Sequence, residues 1–118
     1  PMSAGKQIKS FGYAFKGIYT FFKTERNGRV HLLAAAAAVG LGLYLDVDNH
    51  DWLWLSLAIT LVLVAEMMNT AIERLCNRIT TDQDEAIKVI KDISAGFVLL
   101  CAIFSLILGA IIFTPYLF

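Results

Sequence analysis

Residues 52–72 read WLWLSLAITLVLVAEMMNTAI, and Glu66 is the one charged residue among them. A helix that rises 1.5 Å per residue crosses the roughly 30 Å hydrocarbon core of a bilayer in about 20 apolar residues. The stretch therefore predicts a transmembrane helix, which we place at about 52–74. Both Glu66 and Asn69 lie toward its carboxyl-terminal end, so any chemistry in this helix is expected there.

Two further apolar stretches flank this helix, and they predict spans at about 29–46 and about 92–114, with a polar loop at about 75–91. Of the 118 residues, 58% are hydrophobic and 17% are charged, compared with roughly 45–50% and about 25% in soluble domains. The composition and its blocks predict an all-α membrane protein with three transmembrane helices in a single domain.

The amino-terminal region predicts an amphipathic helix at about 8–26. Apolar residues recur there in steps of three and four, namely Ile8, Phe11, Phe15, Ile18 and Phe22. Lys9, Lys16 and Lys23 recur every seven residues on another face. With three spans following, this pattern favours a helix that lies in the membrane interface over an ordinary amphipathic core helix.

The basic residues predict the topology. Six of the ten Lys and Arg residues lie within the first 29 residues and the other four lie between 74 and 91, whereas the loop at 46–51 has three aspartates and no base. The positive-inside rule then places the amino terminus and the loop at 75–91 in the cytoplasm of a bacterial inner-membrane protein. No basic face remains for a nucleic-acid partner. Small residues within the spans, such as Ser105 and Gly109, favour close helix packing and oligomerisation.

The second span carries a polar stripe. Glu66, Asn69, Glu73 and Asn77 are spaced so that all four share one helical face, and Glu66 lies about 10 Å deeper than Glu73. A carboxylate at that depth costs several kcal/mol unless it is paired, protonated or functional. A polar contact between helices would explain a single Glu, but two Glu and one Asn favour a functional site.

Other polar residues of the cytoplasmic side extend this candidate site. Glu25 ends the amphipathic helix, and Lys91 and Asp92 precede the third span. Read alone, Glu25 is a solvated partner of nearby bases, and the other two are flanking charges. Several carboxylates with an amide suit Mg²⁺, which shares its oxygen ligands with substrate phosphates. In the loop, Thr81 with Asp84 predicts a helix cap.

At these residues the chain resembles the prokaryotic diacylglycerol kinase family of integral membrane lipid kinases, which includes undecaprenol kinases. The motif that carries the resemblance is Glu66-x-x-Asn69-Thr70-Ala71-Ile72-Glu73, followed by Lys91-Asp92 and Ala95-Gly96. Upstream, Thr24-Glu25-Arg26-Asn27 and Arg29-x-His31 also look like the family. The match extends from about residue 9 to residue 113, and no Walker A or protein-kinase motif competes with it.

The resemblance implies a homotrimer with active sites shared between subunits, using ATP and Mg²⁺ to phosphorylate a membrane lipid alcohol. Glu66 then corresponds to the general base, and Asn69 supports the catalytic centre. Glu25 and Glu73 correspond to metal ligands that also contact the nucleotide. Further nucleotide contacts correspond to Tyr13, Lys91 and Asp92.

The chain departs from the family pattern at two places. Asn77 stands where an Asp is usual, which removes a negative charge beside Lys91 and raises the alternative of an impaired enzyme. Gln83-Asp84 stands where Tyr-His is frequent, so no nucleotide contact is assigned to that loop.

Three functions stay open at this point. The amino-terminal motifs favour undecaprenol as the acceptor, with diacylglycerol as the alternative. In a third interpretation the chain is a small ion-coupled transporter with Glu66 as its carrier group. A transporter has no need for Glu25, Glu73 and Lys91 to converge on one surface, and this favours the kinase.

Overall fold

In a computed structural model that describes residues 3–118, this part of the chain forms four helices and no β-strand. The helices are α1 (Ala4–Thr24), α2 (Arg26–Leu45), α3 (Asn49–Ile79) and α4 (Glu85–Leu117). The last three are long and apolar enough to cross a membrane. The predicted all-α architecture, with one amphipathic helix before three apolar ones, is confirmed.

The helices extend past the predicted spans, and much of the segment predicted as a loop at about 75–91 is helical. Only residues 80–84 separate α3 from α4. The predicted cap at Thr81 is wrong: Asp84 caps α4, and its Oδ1 accepts a hydrogen bond from the Ile87 amide at 3.0 Å. Hydropathy predicts only the part of a helix that lies in lipid. A polar helix with a capped end can continue beyond that part into water, so the helices are longer than the predicted spans.

Helix α1 contacts the remainder of the chain only near its end. Residues 3–19 are all exposed, whereas Phe21 is 5% exposed. The apolar face of α1, including Ile8, Phe11 and Phe15, is therefore uncovered within residues 3–118. An uncovered aromatic face fits the prediction of a helix that rests on the membrane surface.

A tight corner joins α1 to α2 and positions Glu25. Glu25 has an extended backbone between the two helices. Arg29 Nη1 donates to the Phe22 and Lys23 carbonyls at 2.9 and 2.8 Å, which satisfies the open end of α1. A Cβ on Gly28 would come within 2.6 Å of the Phe21 ring, so the two helices meet at a distance that only glycine allows.

We expect Gly28→Ala to lower stability by about 1–3 kcal/mol, because the buried Phe21 ring must shift to admit the methyl group. Thermal unfolding in detergent measures this, with Gly40→Ala as the matched control. A Cβ on Gly40 meets nothing within 4 Å, and alanine is the better helix former. Equal midpoints for the two variants would contradict the tight corner.

Helices α3 and α4 form the main packing pair of the fold and are tied together at two depths. Ser105 Oγ donates to the Ala58 carbonyl at 3.1 Å in the apolar region. At the end away from Glu25, Tyr116 Oη donates to Asp51 at 2.8 Å. The nearby core is the cluster of Val47, Leu55 and Ile112. These contacts fix the rotation of α4 against the polar stripe of α3.

Candidate active site

The polar stripe of α3 passes from a buried to an exposed environment. Glu66 is 6% exposed, Asn69 is half-buried, and both Glu73 and Asn77 are exposed. The order follows from their positions, since each successive residue lies further along α3 toward the α3–α4 loop. The structure therefore gives the two glutamates different surroundings, one shielded and one open to solvent.

Glu66 faces α2, where His31 is its partner. His31 Nε2 lies 3.0 Å from Glu66 Oε1, and the two side chains are 30% and 8% exposed. The sequence motif contained His31, but gave it no role. A carboxylate shielded from water requires such a partner to offset its desolvation, so His31 helps to hold Glu66 where it is.

Asn69 connects α3 to α4. Its Nδ2 donates to Glu73 Oε1 at 3.3 Å, and its Oδ1 accepts from Ser94 Oγ at 2.6 Å. Ser94 is 1% exposed and was not identified from the sequence. The one available signal was its position three residues after Lys91, on the same face of α4. Asn69 is thereby oriented toward the Glu73 carboxylate.

Arg74 joins the α1–α2 corner to α3. Its Nη2 lies 2.9 Å from Glu25 Oε1 and 2.5 Å from Thr24 Oγ1. Glu25 is thus paired with the residue that follows Glu73 in the chain. No group of three or more His, Cys, Asp or Glu residues among residues 3–118 is arranged to hold a metal ion.

Two carboxylates nevertheless suit Mg²⁺, which is commonly held by one or two carboxylates together with substrate phosphates and water. Glu73 is exposed, and the side chain of Glu25 is 34% exposed. Of the two, Glu25 already has a cationic partner in Arg74. The donor chemistry of the residues therefore fits the metal.

Lys91 and Asp92 point to different partners. Lys91 Nζ donates to Asn77 Oδ1 at 2.7 Å and so faces the stripe of α3. Asp92 instead pairs with Lys88, one turn back on α4, at 2.7 Å. The amide oxygen of Asn77 is an acceptor for Lys91, although an amide carries no negative charge to pair with the ammonium group.

Tyr13 lies on α1, away from the stripe, and lines a cavity of about 480 Å³ between α1 and α3. Lys16 and Arg74 line the same cavity, together with Thr70. The rest of the lining is largely apolar and includes Phe21 and Met67, so the cavity places two cationic side chains beside an apolar wall.

The arrangement combines a shielded carboxylate, an exposed carboxylate about 10 Å away along the helix, and cationic groups on either side. Sequence reasoning predicted Glu66, Asn69, Glu73, Glu25 and Lys91 as site residues, and that assignment stays a prediction. It missed His31, Ser94 and Arg74, which hold those groups in place. Chemically, the set can accept a proton at one end and bind phosphate with a cation at the other.

The chain is similar to known proteins over nearly its whole length. The chain is 37% identical to "Undecaprenol kinase" of Bacillus subtilis (strain 168) over 110 residues, which is 93% of this chain and 89% of that protein. It is 36% identical to "Diacylglycerol kinase" of Synechocystis sp. (strain ATCC 27184 / PCC 6803 / Kazusa) over 92% of its own length and 62% of that protein. Residues 12–113 match the family described as prokaryotic diacylglycerol kinase. The chain therefore belongs to the prokaryotic diacylglycerol kinase family, and it is a membrane lipid kinase with several transmembrane helices.

Proposed function

We propose that this lipid kinase transfers the γ-phosphate of ATP, with Mg²⁺, to the hydroxyl of undecaprenol at the cytoplasmic membrane surface. The observation that carries the proposal is the shielded Glu66 with its His31 partner. Glu66 precedes the exposed Glu73 by seven residues along α3. A lipid hydroxyl reaches the first carboxylate from the membrane, and an ATP–magnesium complex reaches the second from water.

Each residue of the site has a distinct task in this proposal. Glu66 accepts the proton of the lipid hydroxyl as general base. Glu73 and Glu25 bind Mg²⁺ with the nucleotide, and Asn69 orients Glu73. Magnesium there supplies charge neutralisation for the phosphates. The catalytic gain comes mainly from alignment of the two substrates and from electrostatic stabilisation.

The nucleotide is bound from both sides of this centre in the proposal. Tyr13 contacts it from α1, where Lys16 and Arg74 line the same cavity. Lys91 and Asp92 contact it from α4. Because Asp92 is paired with Lys88, its contact requires that this exposed ion pair open, which costs little in water.

Undecaprenol is favoured over diacylglycerol by resemblance alone. The FKTERN stretch at 22–27, the RVH stretch at 29–31 and the Phe-rich carboxyl-terminal end look closer to undecaprenol kinases. Diacylglycerol is the alternative acceptor, since the sequence identities to the two relatives, 37% and 36%, do not distinguish between the two lipid alcohols.

The surroundings of the site complete the proposal. The distribution of basic residues favours a bacterial cytoplasmic membrane with the amino terminus and residues 80–84 on the cytoplasmic side. The uncovered apolar face of α1 favours contact with lipid and with neighbouring subunits in a homotrimer. Residues of one subunit would then complete the site of the next.

Purified protein in detergent, supplied with Mg²⁺ and γ-labelled ATP, tests the acceptor. We expect label to appear in undecaprenyl phosphate, with a larger kcat/KM than for diacylglycerol. A larger kcat/KM for diacylglycerol would identify diacylglycerol as the acceptor, and the assignment as a lipid kinase would still hold. If neither alcohol were labelled while the protein dissipated a proton gradient in vesicles, the kinase proposal would be wrong.

We expect His31→Ala to lower kcat by about 10- to 100-fold, because small displacements of a catalytic group are that costly. His31→Gln retains a side-chain donor for Glu66 and should restore most of the loss, with the KM for ATP unchanged in both. The matched control is His50→Ala, since His50 contacts Trp54 far from the site. Equal loss in the Ala and Gln variants would contradict the role of His31 as a donor to Glu66.

A further inference from the structure

Ser94 is a polar residue in an almost fully buried position of α4, at 1% exposure. A hydroxyl that is removed from water costs free energy unless it has a hydrogen-bond partner. Ser10 and Thr24 each donate to the carbonyl four residues earlier in their own helix, which is common for such residues. Ser94 instead donates across to α3, where Asn69 Oδ1 accepts at 2.6 Å. Its hydroxyl therefore serves a contact between helices.

This contact holds one end of the Asn69 amide, and Glu73 holds the other. Asn69 Nδ2 donates to Glu73 Oε1 at 3.3 Å, which is a long distance for an N–H donor. An ionised carboxylate only accepts hydrogen bonds, so it selects the amino end of the amide, whereas a hydroxyl fixes the opposite end. Without Ser94, the amide would pivot about the longer of its two hydrogen bonds.

Lys91 makes a second contact from α4, three residues before Ser94. Its Nζ donates to Asn77 Oδ1 at 2.7 Å. Asn69 and Asn77 lie four residues before and four residues after Glu73, so the two contacts fall on either side of this carboxylate along one face of α3. The contact of Ser94 continues to Glu73 through Asn69, and it therefore links the position of α4 to that of the carboxylate.

We infer that Ser94 is a positioning residue for the Glu73 carboxylate, acting through Asn69. The inference rests on the proposed function, in which Glu73 binds Mg²⁺ with the nucleotide. Ser94 stands between Lys91-Asp92 and Ala95-Gly96 and belongs to neither part of the motif. Residues that orient a metal ligand contribute about 10- to 100-fold to metal affinity. Because Ser94 acts through one further residue, its contribution is expected at the lower end of that range.

Ser105 provides a matched control on the same helix. It is also a serine of α4 whose hydroxyl donates to α3, but its acceptor is the Ala58 carbonyl at 3.1 Å. Ala58 precedes Glu66 by eight residues and lies in the apolar part of α3. Ser105→Ala thus removes the same kind of interhelical hydrogen bond away from the candidate site.

Equilibrium binding of a non-hydrolysable ATP analogue in detergent, with and without Mg²⁺, tests the inference, and thermal unfolding reports on stability. We expect Ser94→Ala to raise the Kd of the Mg²⁺ complex by about tenfold. The KM for Mg-ATP should rise in parallel, with kcat changed by less than about twofold, as for a loss of substrate binding alone. Ser105→Ala should lower the unfolding midpoint and leave the Kd unchanged.

Two further variants separate the hydrogen bond from packing. Ser94→Cys retains the volume of the side chain but has only a weak donor, so it should raise the Kd as Ser94→Ala does. Asn69→Ala removes the residue through which Ser94 acts. In a double-mutant cycle, adding Ser94→Ala to Asn69→Ala should therefore leave the Kd where Asn69→Ala alone puts it.

Other outcomes would overturn the inference while the kinase proposal stands. An unchanged Kd in Ser94→Ala, or equal changes in Ser94→Ala and Ser105→Ala, would make Ser94 a packing residue only. Wild-type binding by Ser94→Cys would assign the effect to side-chain volume, and additive losses in the double variant would exclude a route through Asn69. If wild type neither bound the Mg²⁺ complex nor phosphorylated a lipid alcohol, the proposed function itself would fail, whatever the variants showed.

Discussion

Glu66→Gln should lower kcat for lipid phosphorylation by about 10²- to 10⁴-fold, which is the usual contribution of a general base. Glutamine has nearly the same shape as glutamate, so it can remain beside His31 without a cavity. It cannot accept the hydroxyl proton. The loss is therefore expected in kcat, while the affinity for Mg-ATP stays close to that of wild type.

Single-turnover phosphorylation and equilibrium nucleotide binding measure the two quantities separately. Glu85→Gln is the matched control, because Glu85 is exposed in the first turn of α4. Full activity of Glu66→Gln would remove Glu66 from the role of base. A parallel loss of nucleotide binding would instead assign Glu66 to the nucleotide site.

Glu73→Gln should weaken the binding of Mg-ATP, whereas Glu66→Gln impairs proton transfer from the lipid hydroxyl. Loss of a residue that only orients a metal ligand lowers metal affinity by about 10- to 100-fold. Because Glu73 would bind the metal directly, its loss should raise the KM for Mg-ATP by at least about tenfold. Glutamine keeps a carbonyl oxygen that can still accept from Asn69 Nδ2, so the substitution removes mainly the negative charge that would bind the metal. Glu25→Gln is expected to show a related loss.

Titration of ATP at several Mg²⁺ concentrations provides the measurement. A metal ligand is identified if excess Mg²⁺ recovers part of the activity of Glu73→Gln, whereas Glu66→Gln gains nothing from it. A change in kcat alone, with an unaltered dependence on Mg²⁺, would contradict the assignment. Glu85→Gln again serves as the exposed control.

The sequence was sufficient for the number and order of the helices and for the polar face of α3. Apolar length predicts the three long helices, and spacing alone places Glu66, Asn69 and Glu73 on one face. The order of burial along that face also follows, since depth is counted in residues. These properties depend only on one helix and its solvent.

Contacts between helices could not be obtained in the same way. Pairing of Glu66 with His31, or of Asn69 with Ser94, depends on how α2 and α4 are rotated and shifted against α3. Adjacent residues show the limit clearly: Lys91 reaches Asn77 on α3, whereas Asp92 turns to Lys88 on its own helix. A motif groups these two residues, but packing separates them.

The ion pair between Glu25 and Arg74 has a consequence for nucleotide loading. The same Glu25 oxygen that lies 2.9 Å from the guanidinium cannot ligate a divalent cation at full strength while that contact persists. If magnesium bound to Glu25, it would replace the Arg74 guanidinium as the cationic partner of this carboxylate. The displaced guanidinium would remain in the cavity that contains Tyr13 and Lys16, free to neutralise the incoming polyphosphate. Substrate entry would thus rearrange an existing charge balance without leaving either Glu25 or Arg74 unpaired.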